Sequence, residues 1–164
     1  MHVMIEKFVK TGMMTQEQGE FIEEAIMRKD SIVVSGHRSA GIRPLMASLM
    51  GVAKTQFTNV QVKGFEDLEK DVEYFLIPGL DNLDFEALIS EAISKPDTSF
   101  ISLKEPEHPV SLMKVLRQNF KNGTGMGKKI QTLECVKEND EAKLSKITEM
   151  YLDEKGKVKK QDHL

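Results

Sequence analysis

The chain has few of the residues that form covalent or metal-based cross-links. It contains one cysteine, Cys135, and no tryptophan among its 164 residues. A single cysteine excludes an internal disulfide, and its place in a predicted strand favours a buried, inert thiol over a nucleophile. The four histidines are scattered and show no metal-ligand spacing with Cys135. We therefore assign no metal site and no catalytic residue from these residue types.

The sequence also lacks long apolar runs and a strong excess of either charge. No apolar stretch approaches the ~20 residues that a membrane-spanning helix needs, and the N-terminus has no signal-peptide pattern. The formal net charge of −3 gives no electrostatic case for a nucleic-acid partner. We therefore expect a cytoplasmic protein with no membrane span and no bound nucleic acid.

The length and composition are those of one ordinary globular domain. Apolar residues make up 40% and charged residues 30% of the chain. The one local excess of positive charge lies near the C-terminus, at Lys155, Lys157, Lys159 and Lys160. We therefore predict a single domain over residues 1–154, followed by a basic, flexible tail at residues 155–164.

Segments of helical periodicity alternate with short apolar runs typical of buried strands. Thr15 is predicted to cap the second helix, with Gln18 completing a capping box. Helices are predicted at 4–10, after Thr15 to about 28, 45–53, after Asp81 or Asp84 to 95, and 109–120. Strands are predicted at 31–36, 57–63, 72–80, 100–103, 130–136 and 144–152. This order predicts a doubly wound α/β domain, with helices on both faces of a mostly parallel sheet and a C-terminal antiparallel hairpin.

A glycine-spaced loop follows the first predicted strand. Gly36 and Gly41 have the G-x-x-x-x-G spacing of a phosphate-binding P-loop, and they lie between a strand and a helix, as such a loop does. The lysine that would follow is Ile42, and the hydroxyl residue that would bind magnesium is Arg43. The spacing therefore predicts the backbone of a P-loop without the side chains of an ATPase.

Several stretches together resemble one known family. They are residues 8–15, 21–28 and 31–36, then 74–79, 100–104, 113–120 and 130–136. In this order they are similar to the motor domain of the secretion ATPases, the RecA-like P-loop ATPases of type II and type IV secretion, pilus assembly and conjugation. The resemblance covers most of the chain and implies a shortened RecA-like P-loop domain with a degenerate Walker A loop.

The resemblance also implies where the ATPase chemistry is missing. Gly79, Leu80 and Asp81 fall at the Walker B position, where the family has glycine followed by glutamate. Leu80 therefore replaces the carboxylate that would orient an attacking water. The family's box histidine falls on Lys104, with His108 nearby but displaced.

Two functions follow from this pattern, and a third remains open. The first is a non-catalytic, structural or regulatory interaction module that pairs with itself or with an active secretion-type ATPase. The second is binding of ATP, another nucleotide or phosphate at the modified loop, with weak or no hydrolysis, where Arg38 or Arg43 would neutralise phosphate. The loop residues concerned are Gly36, His37, Arg38, Ser39, Ala40, Gly41, Ile42 and Arg43. The third is a binder of small phosphometabolites or anions at the same helix N-terminus.

Two further features each have two interpretations, and a third has one. Asp81, Asp84 and Glu86 could hold a metal ion, or they could be the acidic first turn of a helix. The methionines Met46, Met50 and Met113 are predicted to be core residues, with an adaptable interface as the alternative. Residues 105–108 form a polar loop at a strand end with no nucleophile pattern.

Overall fold

Seven strands form the central sheet of the computed structural model, which describes all 164 residues. They are β1 (Ser31–Ser35), β2 (Asn59–Gln61), β3 (Tyr74–Leu76), β4 (Ser99–Lys104), β5 (Ile130–Glu138), β6 (Glu141–Leu152) and β7 (Val158–Asp162). Their spatial order is β2-β3-β4-β1-β5-β6-β7. The strands from β2 to β5 are parallel, and β5, β6 and β7 pair in antiparallel fashion. The predicted α/β class, the mostly parallel sheet and the C-terminal antiparallel hairpin are confirmed.

Five α-helices connect or flank these strands. They are α1 (Val3–Lys10), α2 (Gln16–Met27), α3 (Ile42–Gln56), α4 (Phe85–Ser94) and α5 (Leu112–Lys121), with short 3-10 turns at Arg38–Ala40 and Phe65–Glu69. The capping box of α2 is present: the Thr15 hydroxyl accepts a hydrogen bond from the Gln18 N–H at 3.0 Å, and the Gln18 side chain accepts one from the Thr15 N–H at 3.0 Å. Asp84 caps α4 through the Ala87 N–H. None of the five helices combines the length and apolar character needed to cross a bilayer.

The helices cover the two faces of the sheet in two groups. Ile32 and Val34 of β1 point into a core shared with α1, α2 and α3, whereas Val33 points into a second core shared with α4 and α5. This alternation follows from the period of two along a strand. The predicted presence of helices on both faces is therefore confirmed, and the apolar run of β1 is explained by burial on both sides.

Cys135 lies in β5 and faces the first core. Its side chain is 4% exposed, and burial raises the pKa of its thiol to about 12. A thiol in this environment stays protonated at neutral pH. The predicted burial of this cysteine is confirmed, and its raised pKa disfavours the reactive thiolate.

Several predicted boundaries were wrong. The last helix begins at Leu112 rather than Pro109, because the Ser111 hydroxyl accepts a hydrogen bond from the Lys114 N–H and caps the helix there. Met113 is 40% exposed and is not a core residue.

The hairpin turn is only two residues long, Asn139 and Asp140, and both have positive φ angles, of 51° and 62°. Two such residues form the tight turn whose twist matches antiparallel strands.

The C-terminal residues also differ from the prediction of a tail. Residues 158–162 form β7, which pairs with β6 from Thr148↔Asp162 to Leu152↔Val158. This strand was not predicted from the sequence, because its lysines are exposed and Val158 is its one apolar residue. The outer edge of β6 supplies the free N–H and C=O groups that make the pairing favourable.

Candidate functional site

The carboxyl ends of β1 and β4 form a switch point in the sheet. The two strands are neighbours, but the chain leaves β1 toward α3 on one face and leaves β4 toward α5 on the other. Ligands in open α/β sheets bind in the crevice that such diverging connections create. The glycine-spaced loop follows β1 at this point, and residues 105–108 follow β4.

The glycine-spaced loop folds as a tight turn that uses several of its own N–H donors. The Ala40 N–H donates to the His37 carbonyl at 2.9 Å, and the Gly41 N–H donates to the Arg38 carbonyl at 3.3 Å. The Ser39 N–H donates to the His37 imidazole at 3.1 Å. A phosphate cradle depends on successive N–H groups directed outward at the anion. Three donors of this loop are instead committed within the loop.

The two loop glycines pack against the β5–β6 hairpin. Gly36 has φ of 152°, and a Cβ atom there would lie 2.5 Å from the Cys135 carbonyl oxygen. Gly41 begins α3, and Ala142 of β6 lies against it. Close packing against the neighbouring strands therefore accounts for the glycine at position 36 without a ligand.

The remaining loop residues separate into three environments. Ala40 and Ile42 are buried in the first core. His37, Arg38 and Ser39 are exposed to solvent. Arg43, in the first turn of α3, points back across the switch point to β4. The loop therefore does not bring its predicted binding residues together around one point.

Arg43 belongs to a charged chain that crosses the switch point. Its Nη2 atom lies 2.5 Å from Glu105 Oε2, and its Nε atom lies 3.3 Å from Glu105 Oε1. Glu105 Oε2 also lies 2.6 Å from His108 Nδ1, and His108 Nε2 lies 3.0 Å from Asp81 Oδ1. We call these four residues the switch-point network. Arg43 and Glu105 meet through two hydrogen bonds, the bidentate arrangement that guanidinium and carboxylate favour.

Glu105 is the buried centre of the network, with a side chain that is 0% exposed. Burial raises its pKa, but the hydrogen bonds from Arg43 and His108 outweigh burial, and the net pKa lies below the ordinary 4.5. His108 has a carboxylate against each of its ring nitrogens. The network therefore alternates two nitrogen-bearing side chains, Arg43 and His108, with two carboxylates.

The residues at the predicted Walker B position, Gly79, Leu80 and Asp81, lie beside this network. A Cβ atom at Gly79 would lie 2.9 Å from the His108 ring, so glycine is needed for the imidazole to approach the backbone. Asp81 binds the other side of that imidazole, and Leu80 between them is half-buried. Gly79 therefore leaves room for the His108 ring, and Asp81 binds it.

The acidic residues near α4 do not converge on one point. Asp84 caps the helix, whereas Glu86 accepts hydrogen bonds from the Lys114 ammonium at 2.7 Å and the Ser111 N–H at 2.8 Å. No group of three or more histidine, cysteine, aspartate or glutamate side chains is arranged to hold a metal ion. Of the two interpretations of this cluster, the acidic first turn of a helix fits the contacts.

Sequence reasoning missed Glu105 and His108 as site residues. Their partners Arg43 and Asp81 lie 62 and 27 residues away along the chain, so no local spacing reveals the contacts. A weak signal was present: a glutamate directly after a buried strand, with a histidine three residues later. Such residues lie at the strand ends where α/β folds place their ligands.

The lowered pKa of Glu105 predicts how stability depends on pH. Because its pKa is lower in the folded than in the unfolded chain, its stabilising contribution is complete above pH 4.5 and is lost as the pH falls through the folded value. We expect urea midpoints to fall as the pH is lowered below 4.5, with ~1.4 kcal/mol of stability lost for each unit of pKa difference between the folded and unfolded chain. Glu105→Gln should reduce this dependence; an unchanged pH profile in that variant would show that the stability loss arises elsewhere.

Comparison with known proteins adds no relative. No protein-family model matches the chain, and no curated protein matches it.

Proposed function

We propose that this chain is a non-catalytic relative of the secretion ATPases that acts as a structural or regulatory interaction module. The observation that carries the proposal is the position of Arg43. The residue in place of the magnesium-binding hydroxyl forms a bidentate pair with buried Glu105. That pair joins the loop after β1 to the loop after β4 through protein contacts alone.

Three further features support the absence of nucleotide turnover. Ile42, in place of the phosphate-binding lysine, is fully buried in the first core. Leu80 supplies no carboxylate that could orient a water. The loop commits the N–H groups of Ser39, Ala40 and Gly41 to its own turn. Together they favour a fixed conformation over a phosphate-dependent cycle.

The RecA-like identity of the domain belongs to the same proposal. It is supported by the strand–loop–helix passage from β1 to α3, by the parallel strands beside β1, and by helices on both faces of the sheet. The partner in the proposal is a second copy of this chain or an active ATPase of the same family.

One observation favours the alternative, nucleotide or phosphate binding at the loop. Arg38 is exposed and forms no ion pair, and the hydroxyl of Ser39 lies next to it in an exposed position, 2.9 Å from His37 Nδ1. A guanidinium and a hydroxyl beside a helix N-terminus can bind phosphate. In this alternative Arg38, rather than Arg43, carries the binding.

Calorimetry with MgATP, MgADP, MgGTP and inorganic phosphate separates the two functions. We expect no saturable heat of binding with any of these ligands at concentrations up to about 1 mM. A Kd of that size corresponds to a binding free energy of about −4 kcal/mol. We also expect no phosphate release from MgATP. The Arg38→Ala variant is the test of the loop, and Arg117→Ala, at an exposed arginine of α5, is its matched control. If a ligand binds saturably, and the binding is lost in Arg38→Ala but kept in Arg117→Ala, nucleotide or phosphate binding at the loop becomes the better explanation.

A further inference from the structure

A cleft with a volume of about 850 Å³ lies beside the switch point and takes no part in the proposed function. It is on the side of the sheet that carries α4 and α5, at the carboxyl ends of the parallel strands. Its lining includes Ser35 at the end of β1 but none of residues 36–43. The volume falls within the roughly 300–1,000 Å³ typical of small-molecule sites.

The floor of the cleft includes a polar row that crosses three strands. Lys104 of β4 pairs in register with Ser35 of β1, which pairs with Glu134 of β5, and all three residues line the cleft. Register partners point to the same face of a sheet. Nearer the amino ends of the parallel strands this face is apolar, with Val33 and Ile130 beneath the helices. The change from apolar to polar side chains shows a solvated cavity floor rather than an uncovered part of the core.

Most acidic groups of the cleft are already committed to partners. Glu134 pairs with Lys146 at 3.4 Å, Glu86 pairs with Lys114 at 2.7 Å, and Asp81 contacts His108 at 3.0 Å. Asp84 caps α4. Glu107, at the exposed rim, is the one acidic group of the lining without such a contact. Two of the five carboxylates are therefore balanced by lysines, and Asp81 and Asp84 have acceptor atoms engaged by His108 and the start of α4.

The cations of the lining are uncommitted. Lys104, which is half-buried, and Lys160, which is exposed on β7, form no ion pair. Lys104 lines the same cleft as the first turn of α5, Leu112 and Met113. There the N–H groups of Leu112 and Met113 have no hydrogen-bond partner within the chain. Two ammonium groups and two free N–H donors thus face a cavity that offers few free acceptors.

Apolar side chains complete the walls. Leu80 and Val110 lie on the α4 and α5 sides, Met150 lies on β6, and Met113 is 40% exposed at the edge. A site with a few convergent polar groups and apolar walls fixes a ligand by its charged end and buries its remaining surface.

We propose that this cleft binds a small organic anion, a carboxylate or phosphate carried on an apolar body. Lys104 and the first turn of α5 bind the anionic group, the Ser35 and Thr132 side chains flank it, and the apolar walls take the rest. Ammonium groups and helix N-termini both favour anions. The inference is independent of nucleotide binding, because the lining excludes the glycine-spaced loop.

Four small molecules, three anions and one cation, test the proposal on the full chain. Phenyl phosphate and benzoate carry the two anionic groups on a ring, inorganic phosphate lacks the apolar body, and benzylamine reverses the charge. Titrations followed by amide NMR should show saturable shifts at Leu112, Met113 and Thr132 with phenyl phosphate or benzoate, and weaker binding of inorganic phosphate and benzylamine. The better of the two aromatic anions identifies the anionic group.

Variants at matched lysines locate the site. Lys104→Met should weaken binding of the better probe by about tenfold or more, since a charge-assisted hydrogen bond is lost. Lys155→Met, at an exposed lysine outside the cleft, should leave binding unchanged. Lys160→Met provides a second test if Lys104→Met fails to fold. No saturable binding, tighter binding of benzylamine, shifts confined to residues 37–41, or equal affinity in wild type and Lys104→Met would each overturn the proposal.

Discussion

Replacement of Gly36 by alanine is expected to destabilise the protein by about 3 kcal/mol or more, within the range of severe single substitutions. The new Cβ atom would lie 2.5 Å from the carbonyl oxygen of Cys135, and φ at this position is 152°. Cys135 lies in β5, and Gly36 directly follows β1 and donates its N–H to the Lys104 carbonyl of β4, so neither side of that contact can move without disturbing the sheet. Urea unfolding followed by circular dichroism measures the loss.

A matched glycine separates the clash from backbone strain alone. Gly127 also has a positive φ, of 81°, but a Cβ atom there would meet nothing within 4 Å. Gly127→Ala should therefore cost only the ~1 kcal/mol of an unfavourable φ. Equal losses in the two variants would contradict the packing role of Gly36 and reopen its interpretation as part of a phosphate cradle.

Replacement of Arg43 by methionine is expected to produce the second large effect, a loss of about 3 kcal/mol at pH 7. The substitution keeps much of the side-chain length but leaves the buried carboxylate of Glu105 with the His108 imidazole as its remaining side-chain partner. Removing one member of a buried ion pair costs roughly 3–5 kcal/mol, and the 38% exposure of Arg43 places the estimate at the lower end.

The pH dependence of this loss identifies its cause. Near pH 4 the carboxyl of Glu105 can take up a proton in the variant, so the difference from wild type should shrink. The double variant Arg43→Met with Glu105→Gln should recover part of the stability at pH 7, because the unpaired buried carboxylate is removed. Lys10→Met, which removes the exposed Lys10–Glu6 pair, should cost less than about 1 kcal/mol. A loss of that small size in Arg43→Met would show that the switch-point network does not stabilise the fold.

Local patterns in the sequence predicted the elements whose causes are local. The Thr15–Gln18 capping box, the buried β1 strand and the apolar face of α4 depend on residues within a few positions of one another, and each is present. The start of α5 was missed because Pro109 and Ser111 are both helix-start signals, and only the contact of Ser111 with Lys114 decides between them. The end of β5 was missed because Asn139 and Asp140 adopt positive φ angles that Asn and Asp only sometimes take.

The candidate site was harder to predict because its contacts are long-range. The loop after β1 was found from its glycine spacing, yet its nucleotide-binding role and the kinship with secretion ATPases stay predictions. Glu105 and His108 gain their significance only when β4 is placed beside β1. The cleft likewise depends on the register that aligns Lys104, Ser35 and Glu134. Neither the periodicity of the sequence nor the spacing of its motifs predicts how β4, β1 and β5 align with one another.

The two outer strands of the sheet limit how copies of this protein can associate. β2 has only three residues, and β7 carries Lys159 and Lys160 in its five. Short or lysine-bearing borders discourage another chain from adding a strand. Antiparallel pairing of two β7 strands centred on Lys160 would also set two ammonium groups opposite each other, which is unfavourable. A stable assembly of this protein is therefore expected to form through surfaces other than the two sheet edges, and polymerisation into continuous β-ribbons is disfavoured at both ends.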